Sequence, residues 1–316
     1  MDRTGGAHML DFKAFTAVTT IGDLLLRTAA VYPEKDAIVF PDRRLTFTEL
    51  QENTLRRARG LYALGVRPGD HVGILLPSSL ETVECFFAIA LLGAVSVPIN
   101  ARYRGDELGF VVENADIKAI VTQGRVTDGL DFVARLNEAI PALSAQPVNA
   151  DLDLPNMPVL KRLILIGSDE TPGFTTDAAF REIAETVPAE TIDALRNRVR
   201  VRDTALMLYT SGTTSRPKIV PLLQSNVAAS AQNIGASLGL KSDDRCLNVM
   251  PLFHIHGLVA AVSASLAAGA SIWCSPGFNA LSFFSWMKEA RPTWYTAVPT
   301  MPQAILSRAG RNAETI

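Results

Sequence analysis

From about residue 36 onward, short runs rich in apolar and β-branched residues alternate with stretches of helical period, and this alternation constrains the fold more than any other feature. Ala37 to Phe40 predicts a strand and Pro41-Asp42-Arg43-Arg44 a turn. Thr46-Phe47-Thr48-Glu49 then opens a helix: Thr46 is placed to cap it, Glu49 completes a capping box, and the pattern runs to about Leu64. Gly65-Val66-Arg67-Pro68-Gly69-Asp70 breaks that helix before an apolar strand, His71 to Leu76. A second helix passes through Glu81, Glu84, Phe87 and Leu91 and stops at Gly93, ahead of strands at Ala94 to Pro98 and Ile117 to Thr122. Alternation of strands and helices is the sequence sign of a layered fold, so the expected class is α/β with layered subdomains.

Beyond Arg125 the pattern weakens. Prolines at 141, 147, 155 and 158 and sparse β-branched residues predict an irregular excursion to about Leu160. A strand at Leu163 to Ile166 follows, then a polar connector from Ser168 to about Arg202 holding a helix around Ala178 to Thr186. The length of 316 residues suits two subdomains, with a boundary in this connector: residues 1–190 as a first α/β subdomain and 191–316 as a second. Because 48% of the residues are hydrophobic and 20% charged, the chain has ample apolar material for packed cores.

Charge and cysteine usage exclude several classes of function. Thirty basic residues balance thirty-two acidic ones, so no global field draws the chain to nucleic acid. Cys85, Cys246 and Cys274 are odd in number and widely spaced, which fits neither a disulfide framework nor a structural zinc site. The N-terminal MDRTGGAHMLDFKAF lacks the charged and apolar regions of a secretory signal, so a cytoplasmic protein is expected. One stretch invites a membrane reading, since no Asp, Glu, Lys or Arg occurs between Arg245 and Lys288. However, Ser263, Ser265 and Ser271 dilute its apolar run, and Gly269-Ala270 reads as a helix end before the strand Ser271-Ile-Trp-Cys274. A buried helix and strand, with no membrane span, are expected.

The chemistry concentrates where the apolar run Ala205 to Tyr209 enters Thr210-Ser211-Gly212-Thr213-Thr214-Ser215-Arg216-Pro217-Lys218. Five of the six residues from Thr210 to Ser215 carry a hydroxyl, Gly212 lets backbone approach a ligand closely, and Lys218 adds a cation. That set suits polyphosphate. The spacing is not that of a Walker A loop, because Lys218 follows proline and precedes Ile219. On composition alone a solvated Ser/Thr-rich turn fits as well.

Tyr209-Thr-Ser-Gly-Thr-Thr-Ser-Arg-Pro-Lys218 resembles the phosphate-loop signature of the adenylate-forming enzymes, the superfamily of acyl-CoA synthetases, luciferases and peptide-synthetase adenylation domains. Met250-Pro-Leu-Phe-His-Ile-His-Gly-Leu258 resembles the same superfamily's next motif, in the expected order. Leu45-Thr-Phe-Thr-Glu-Leu50, Gly65 to Gly73 and Leu92 to Asn100 look like its N-terminal subdomain. Ser215-Arg216, the His254/His256 pair and Arg291 to Thr300 look most like the oxalate-CoA ligase branch, with fatty-acid and aryl-acid CoA ligases as neighbouring alternatives.

The resemblance implies two half-reactions. A carboxylate attacks the α-phosphorus of ATP to give acyl-adenylate and pyrophosphate, and the coenzyme A thiol then takes the acyl group. It also implies that Thr210, Ser211, Gly212, Thr213, Thr214 and Lys218 hold the β- and γ-phosphates with Mg²⁺, Lys218 supplying catalytic charge, and that His254 lies beside the acyl carboxylate. Gly257 matches a motif glycine that leaves room for substrate or the pantetheine arm, or else marks a tight helix start. The residues themselves leave other readings open. His254 and His256 could bond core backbone, or form a metal pair on one strand face.

Two departures stand out. The superfamily's Pro-Lys-Gly reads Pro217-Lys218-Ile219 here, which predicts either strain at a positive-φ position or bulk beside the phosphates. The superfamily's later features, an acidic adenine-side motif, a ribose aspartate, a hinge and a small domain with a catalytic lysine, do not occur before Ile316. The expectation is therefore an acid:CoA ligase N-terminal domain, truncated before the C-terminal domain and inactive alone, or a non-catalytic nucleotide-binding or interaction module from the same stock.

Overall fold

The computed structural model describes residues 19–127, 129–167, 170–210 and 217–309. The chain opens with α1 (Ile21–Val31), whose first turn is capped by the Thr20 hydroxyl accepting from Asp23 N. Strands β1 (Asp36–Val39) and β2 (Arg44–Thr46) follow, then α2 (Phe47–Ala63). The expected capping box is present: Glu49 Oε2 accepts from Thr46 N at 2.8 Å, and Thr46 Oγ1 accepts from Glu49 N at 3.2 Å. Then come β3 (His71–Leu75), α3 (Leu80–Leu91), β4 (Val95–Pro98), α4 (Gly105–Asn114) and β5 (Ile117–Gln123). The strands and helices that the sequence predicted lie within a residue or two of these bounds, while α1, β2 and α4 were not expected.

The stretch after Arg125 is more ordered than expected. A small hairpin, β6 (Arg125–Thr127) with β7 (Leu130–Asp131), leads into α5 (Phe132–Ala139) and a 3₁₀ turn at Pro141–Ala145. Asp131 caps α5 by accepting from Ala134 N at 3.0 Å, and Phe132 and Leu136, four residues apart, are buried. A single cap and a two-residue apolar stripe are too short to register against four prolines. Strands β8 (Arg162–Ile166) and β9 (Thr175–Thr176) follow, then α6 (Asp177–Glu185), α7 (Ala189–Arg196), β10 (Thr204–Thr210), β11 (Lys218–Leu223) and α8 (Gln224–Leu238). The chain continues with β12 (Arg245–Asn248), a π-helix at His256–Ser263 that runs into α9 (Ala264–Ala267), then β13 (Ser271–Cys274), α10 (Phe283–Ala290), β14 (Trp294–Thr296) and α11 (Thr300–Ala309).

The described residues form two compact units that no single cut separates: 19–51, 78–80 and 225–309 make one, and 52–77 with 81–224 the other. The division expected at 190/191 is replaced because β1 pairs with β13 in parallel, Ile38 opposite Ile272 and Val39 opposite Trp273, which joins the two ends of the sequence in one sheet. Local pattern carries no record of a partner so far along the chain.

In the first unit the sheet order is β14-β12-β13-β1-β2, parallel except for β2. Leu247, Val249 and Trp273 face α10 and α11, packing with Phe283, Phe284 and Ile305; each fully buried aromatic or aliphatic side chain contributes about 1.5–3 kcal/mol. The opposite face carries Cys246, whose buried thiol shares a hydrogen bond with Ser265 and is pushed well up by burial. The expected buried helix and strand over 258–274 are found, the helix widened to π geometry, and Gly269 at φ +72° ends it. Among the described residues no helix is long and apolar enough to cross a membrane.

In the second unit seven strands run β11-β10-β4-β3-β5-β8-β9, and only the β10–β11 pair is antiparallel. Central strand β4 is buried at every residue, as a sheet covered on both faces requires. Strand β11 is the edge and accordingly bears exposed residues, including Pro221, whose missing N–H is harmless there.

Candidate functional site

Strands β10 and β11 form an antiparallel hairpin whose open end carries the hydroxyl-rich loop. Thr210 lies directly opposite Lys218, and Tyr209 opposite Ile219. Cross-strand partners share a sheet face, so the Thr210 hydroxyl and the Lys218 ammonium stand together, both exposed. Thr210 Oγ1 lies 3.5 Å from the Lys218 carbonyl oxygen. Ser211, Gly212, Thr213 and Thr214, with Ser215 and Arg216, lie outside the described residues.

The base of the hairpin is fastened from the next layer. Tyr209 Oη donates to Asn114 Oδ1 at 3.0 Å, at the end of α4. Burial, with Tyr103 and Asp116 nearby, pushes the Tyr209 phenol up to about 12, so it stays a neutral donor. Sequence reasoning passed over this anchor, because the tyrosine read only as the start of a motif and its partner Asn114 lies 95 residues earlier.

Ile219 is strained in neither expected way. It sits in extended strand backbone opposite Tyr209, and the non-glycine residues at positive φ among the described ones are Asp116, Asn149 and Arg291. Side chains alternate along a strand, so Ile219 points to the face opposite Lys218. Its bulk is directed away from the side that carries the cation.

The first unit supplies the second set of residues, at the carboxyl end of its parallel sheet. From β12 the chain passes to β13 through the π-helix and α9 on one face, and from β13 back across β12 to β14 through α10 on the other. Such a reversal opens a crevice at strand carboxyl ends, the usual place for ligands in α/β sheets. The segment from Met250 to Ile255 lies there. His254 is exposed, with its ring centroid 4.6 Å from that of Phe253, so it is not the buried core histidine that was one expectation. Its N–H donates to Pro251 O at 3.2 Å, and its carbonyl accepts from Leu258 N at 3.0 Å.

His256 is half-buried, and its Nε2 shares a hydrogen bond with Thr296 Oγ1 at the end of β14. The two histidines enter a helix and do not share a strand face, which removes the geometry of the metal pair. Among the described residues no cluster of three or more His, Cys, Asp or Glu is placed to hold a metal. The cysteines are free and buried, and burial pushes the thiols of Cys85 and Cys274 up to about 12, far from nucleophilic use at neutral pH. Trp273 and Leu258 belong to the core, Trp273 packing against Trp286 at 6.0 Å.

Gly257 has a definite structural reason. A Cβ there would collide with the Pro251 carbonyl oxygen and come within 2.9 Å of that of Met250. A side chain there would meet the chain's own backbone, which fits the tight helix start. Thr210 and Lys218 thus belong to one unit, and His254 and Gly257 to the other.

Comparison with known proteins agrees with the motifs. A family model described as AMP-binding enzyme matches residues 25–315. The oxalate–CoA ligase of Arabidopsis thaliana is 34% identical over 300 residues, covering 94% of this chain and 53% of that protein. A crotonobetaine/carnitine–CoA ligase of Salmonella agona is 27% identical over 283 residues, covering 88% of this chain and 50% of its own length. Among solved structures, the anthranilate CoA ligase AuaEII in complex with anthranoyl-AMP superposes with a TM-score of 0.76 at 26% identity, over 91% of this chain and 51% of that one. The chain therefore spans about half the length of the curated relatives it matches.

Proposed function

The chain belongs to the AMP-binding enzyme family, and on that premise we propose that it carries the nucleotide-anchoring part of an ATP-dependent acid:CoA ligase. The reaction is the activation of a carboxylate by ATP to an acyl-adenylate and pyrophosphate, followed by transfer of the acyl group to the coenzyme A thiol with release of AMP. The single observation that supports it best is the hairpin: a threonine and a lysine, both exposed, directly opposite each other where β10 and β11 meet the loop, bracketing seven residues rich in donors. Both groups donate and neither is committed to the core, which fits a polyanion.

In this reading Thr210 and Lys218 hold the β- and γ-phosphates together with Ser211, Gly212, Thr213 and Thr214. Nucleotidyl transfer needs aligned reactants and neutralised charge more than covalent help, and a rigid hairpin base supplies the alignment. Mg²⁺ would be held with the nucleotide near the Thr210 hydroxyl and would add positive charge beside the phosphates. In the same reading His254, exposed beyond β12, takes the place beside the acid's carboxylate. Gly257 acts by letting the chain close on Met250 and Pro251.

The acid is a small carboxylate, with oxalate the first choice and fatty or aromatic acids the alternatives. Acid-dependent ATP–pyrophosphate exchange tests the proposal, measured on these 316 residues and on the longest polypeptide their reading frame supplies. Exchange stimulated by one acid class in the longer polypeptide is the expected result, with these 316 residues alone giving little. Tight nucleotide binding with no exchange for any acid would turn the reading toward a non-catalytic module.

A further inference from the structure

Strand β14 ends the first unit's sheet without the features of a natural edge. In that sheet β13 is buried at every residue and β12 at every residue after Arg245, whereas β14 is half-buried at Trp294 and Thr296 and exposed at Tyr295. Parallel strands are normally covered on both faces, and natural edges are blunted by charge, proline or a bulge. Trp294-Tyr295-Thr296 has no charge and no proline, and it pairs with β12 without a bulge. Its backbone is only half used. Ser271 N–H and Ser275 N–H donate to Asp244 O and Asn248 O, so the even-numbered residues of β12 face β13 and Leu247 faces β14. Leu247 stands opposite Tyr295, and in a parallel ladder it bonds the residues on either side, Trp294 and Thr296. The N–H and C=O of Tyr295 therefore point to the free side. A groove of about 550 Å³ lies along β14, lined by Thr293 to Thr296 and by the turn that joins α8 to β12. Leu238, 57% exposed at the end of α8, forms part of its wall.

We propose that the free edge of β14 receives a parallel strand, supplied by the polypeptide that follows Ile316 in the full reading frame. The connections already present decide the side. From β12 to β13 the chain crosses on the face of the π-helix; from β13 to β14 it moves the opposite way and crosses on the other face, through α10, so both crossovers have one hand. Helix α11 lies on the face of α10, with Met301 and Ile305 in the cluster that holds Phe283, Phe284 and Leu247. A crossover of that same hand leaving β14 through α11 advances in the direction from β13 to β14, onto the free side. The other side is already held by β12. The ten residues of α11 span about 15 Å, enough to carry the chain back along a strand toward the end at which its parallel neighbours begin. Curated relatives run to about twice the length of this chain, which leaves ample polypeptide for such a strand. The inference does not rest on the adenylation reading.

Amide hydrogen exchange tests the proposal on the longest polypeptide of the reading frame and on these 316 residues. The Thr296 amide, bonded to β12 in either case, is the internal reference. In the 316-residue chain the Tyr295 amide should exchange faster than that of Thr296. In the longer polypeptide it should slow by about tenfold relative to that reference, the upper end for one gained backbone hydrogen bond. Should the shorter chain not fold alone, the longer one decides: both amides equally slow is the expected result. Tyr295 still exchanging faster than Thr296 there would overturn the proposal, and so would a reading frame that stops at Ile316. A dimer of the 316-residue chain with the Tyr295 amide protected would assign the edge to a second copy, paired across a two-fold axis, and would overturn it as well. Leu238→Lys gives a second reading. It should leave the unfolding midpoint of the 316-residue chain in place and lower that of the longer polypeptide, where the added strand covers the side chain; equal effects would mean that the groove stays open and the proposal fails. Absence of pyrophosphate exchange would break the ligase reading, and the Tyr295 amide would still decide the strand.

Discussion

The hairpin at β10–β11 and the turn from β12 into the π-helix achieve order by opposite means. The hairpin presents side chains: its backbone is ordinary antiparallel sheet, and its chemistry is a hydroxyl and an ammonium held in register by strand pairing. The turn after β12 presents geometry. Its peptide path is set by a missing side chain, a buried asparagine and a histidine bonded to a neighbouring strand. The lesson is that substitutions should separate the two: the hairpin loses ligand before it loses stability, and the turn loses stability first.

The largest effect is expected at Gly257. Gly257→Val places carbon against the carbonyls of Met250 and Pro251, which are backbone and cannot swing aside, so a loss of about 3 kcal/mol is predicted. Urea unfolding measures it. A loss below about 0.5 kcal/mol would mean that the turn is not closed as described and that the glycine serves a ligand after all.

Next comes Lys218, where the contrast predicts the reverse. Lys218→Ala should leave the unfolding midpoint within the scatter of a surface change, because the side chain is exposed. It should weaken ATP or pyrophosphate binding by about 1.5–3 kcal/mol, the range for hydrogen bonds to a charged group. Calorimetry on the same samples reads both quantities, and retained affinity would remove Lys218 from the site.

These two regions were unequally legible in the sequence. The hairpin could be read in part: an apolar run before a hydroxyl-rich stretch reads as a strand and a turn, while the hydroxyls alone fit a solvated turn as well and only the resemblance to the adenylate-forming loop points to phosphate. Thr46 and Glu49 were legible because a capping box is a pattern of neighbours. The turn was half legible. Gly257 was noticed, but whether it faces ligand or backbone depends on Met250 and Pro251 returning beneath it, a tertiary fact. Thr296 passed unnoticed because its partner His256 lies forty residues earlier, and the two-unit division because β1 finds β13 more than two hundred residues on. The π geometry has no local signature in Gly-Leu-Val-Ala-Ala-Val.

Tyr209 sharpens the comparison from the hairpin's side, since there that region relies on a specific side-chain bond. Tyr209→Phe should cost about 1 kcal/mol, the worth of the hydrogen bond to Asn114. It should also alter alkaline unfolding. The phenol is raised from 10 to about 12 in the folded state, so its neutral form contributes stability fully below pH 10 and loses it as the pH climbs toward 12. Buried thiols titrate in the same range, and the difference between Tyr209→Phe and the parent isolates the phenol. The variant should lose less stability across that window, and equal losses would place the phenol outside the fold's protection.

The smallest effect, and the one that best separates sequence from structure, is at Ile219. By sequence it looks like an intruder beside the phosphates, and its replacement by glycine ought to improve nucleotide binding. By structure it is an ordinary strand residue, extended, opposite Tyr209, on the face away from Lys218. Ile219→Gly therefore removes a β-branched residue from a strand without relieving any crowding. Stability should fall by about 0.5–1 kcal/mol while ATP affinity stays where it was. A clear gain in affinity would show that β11 shifts when nucleotide binds, and the hairpin would then have to be counted, like the turn after β12, among regions whose chemistry depends on backbone position.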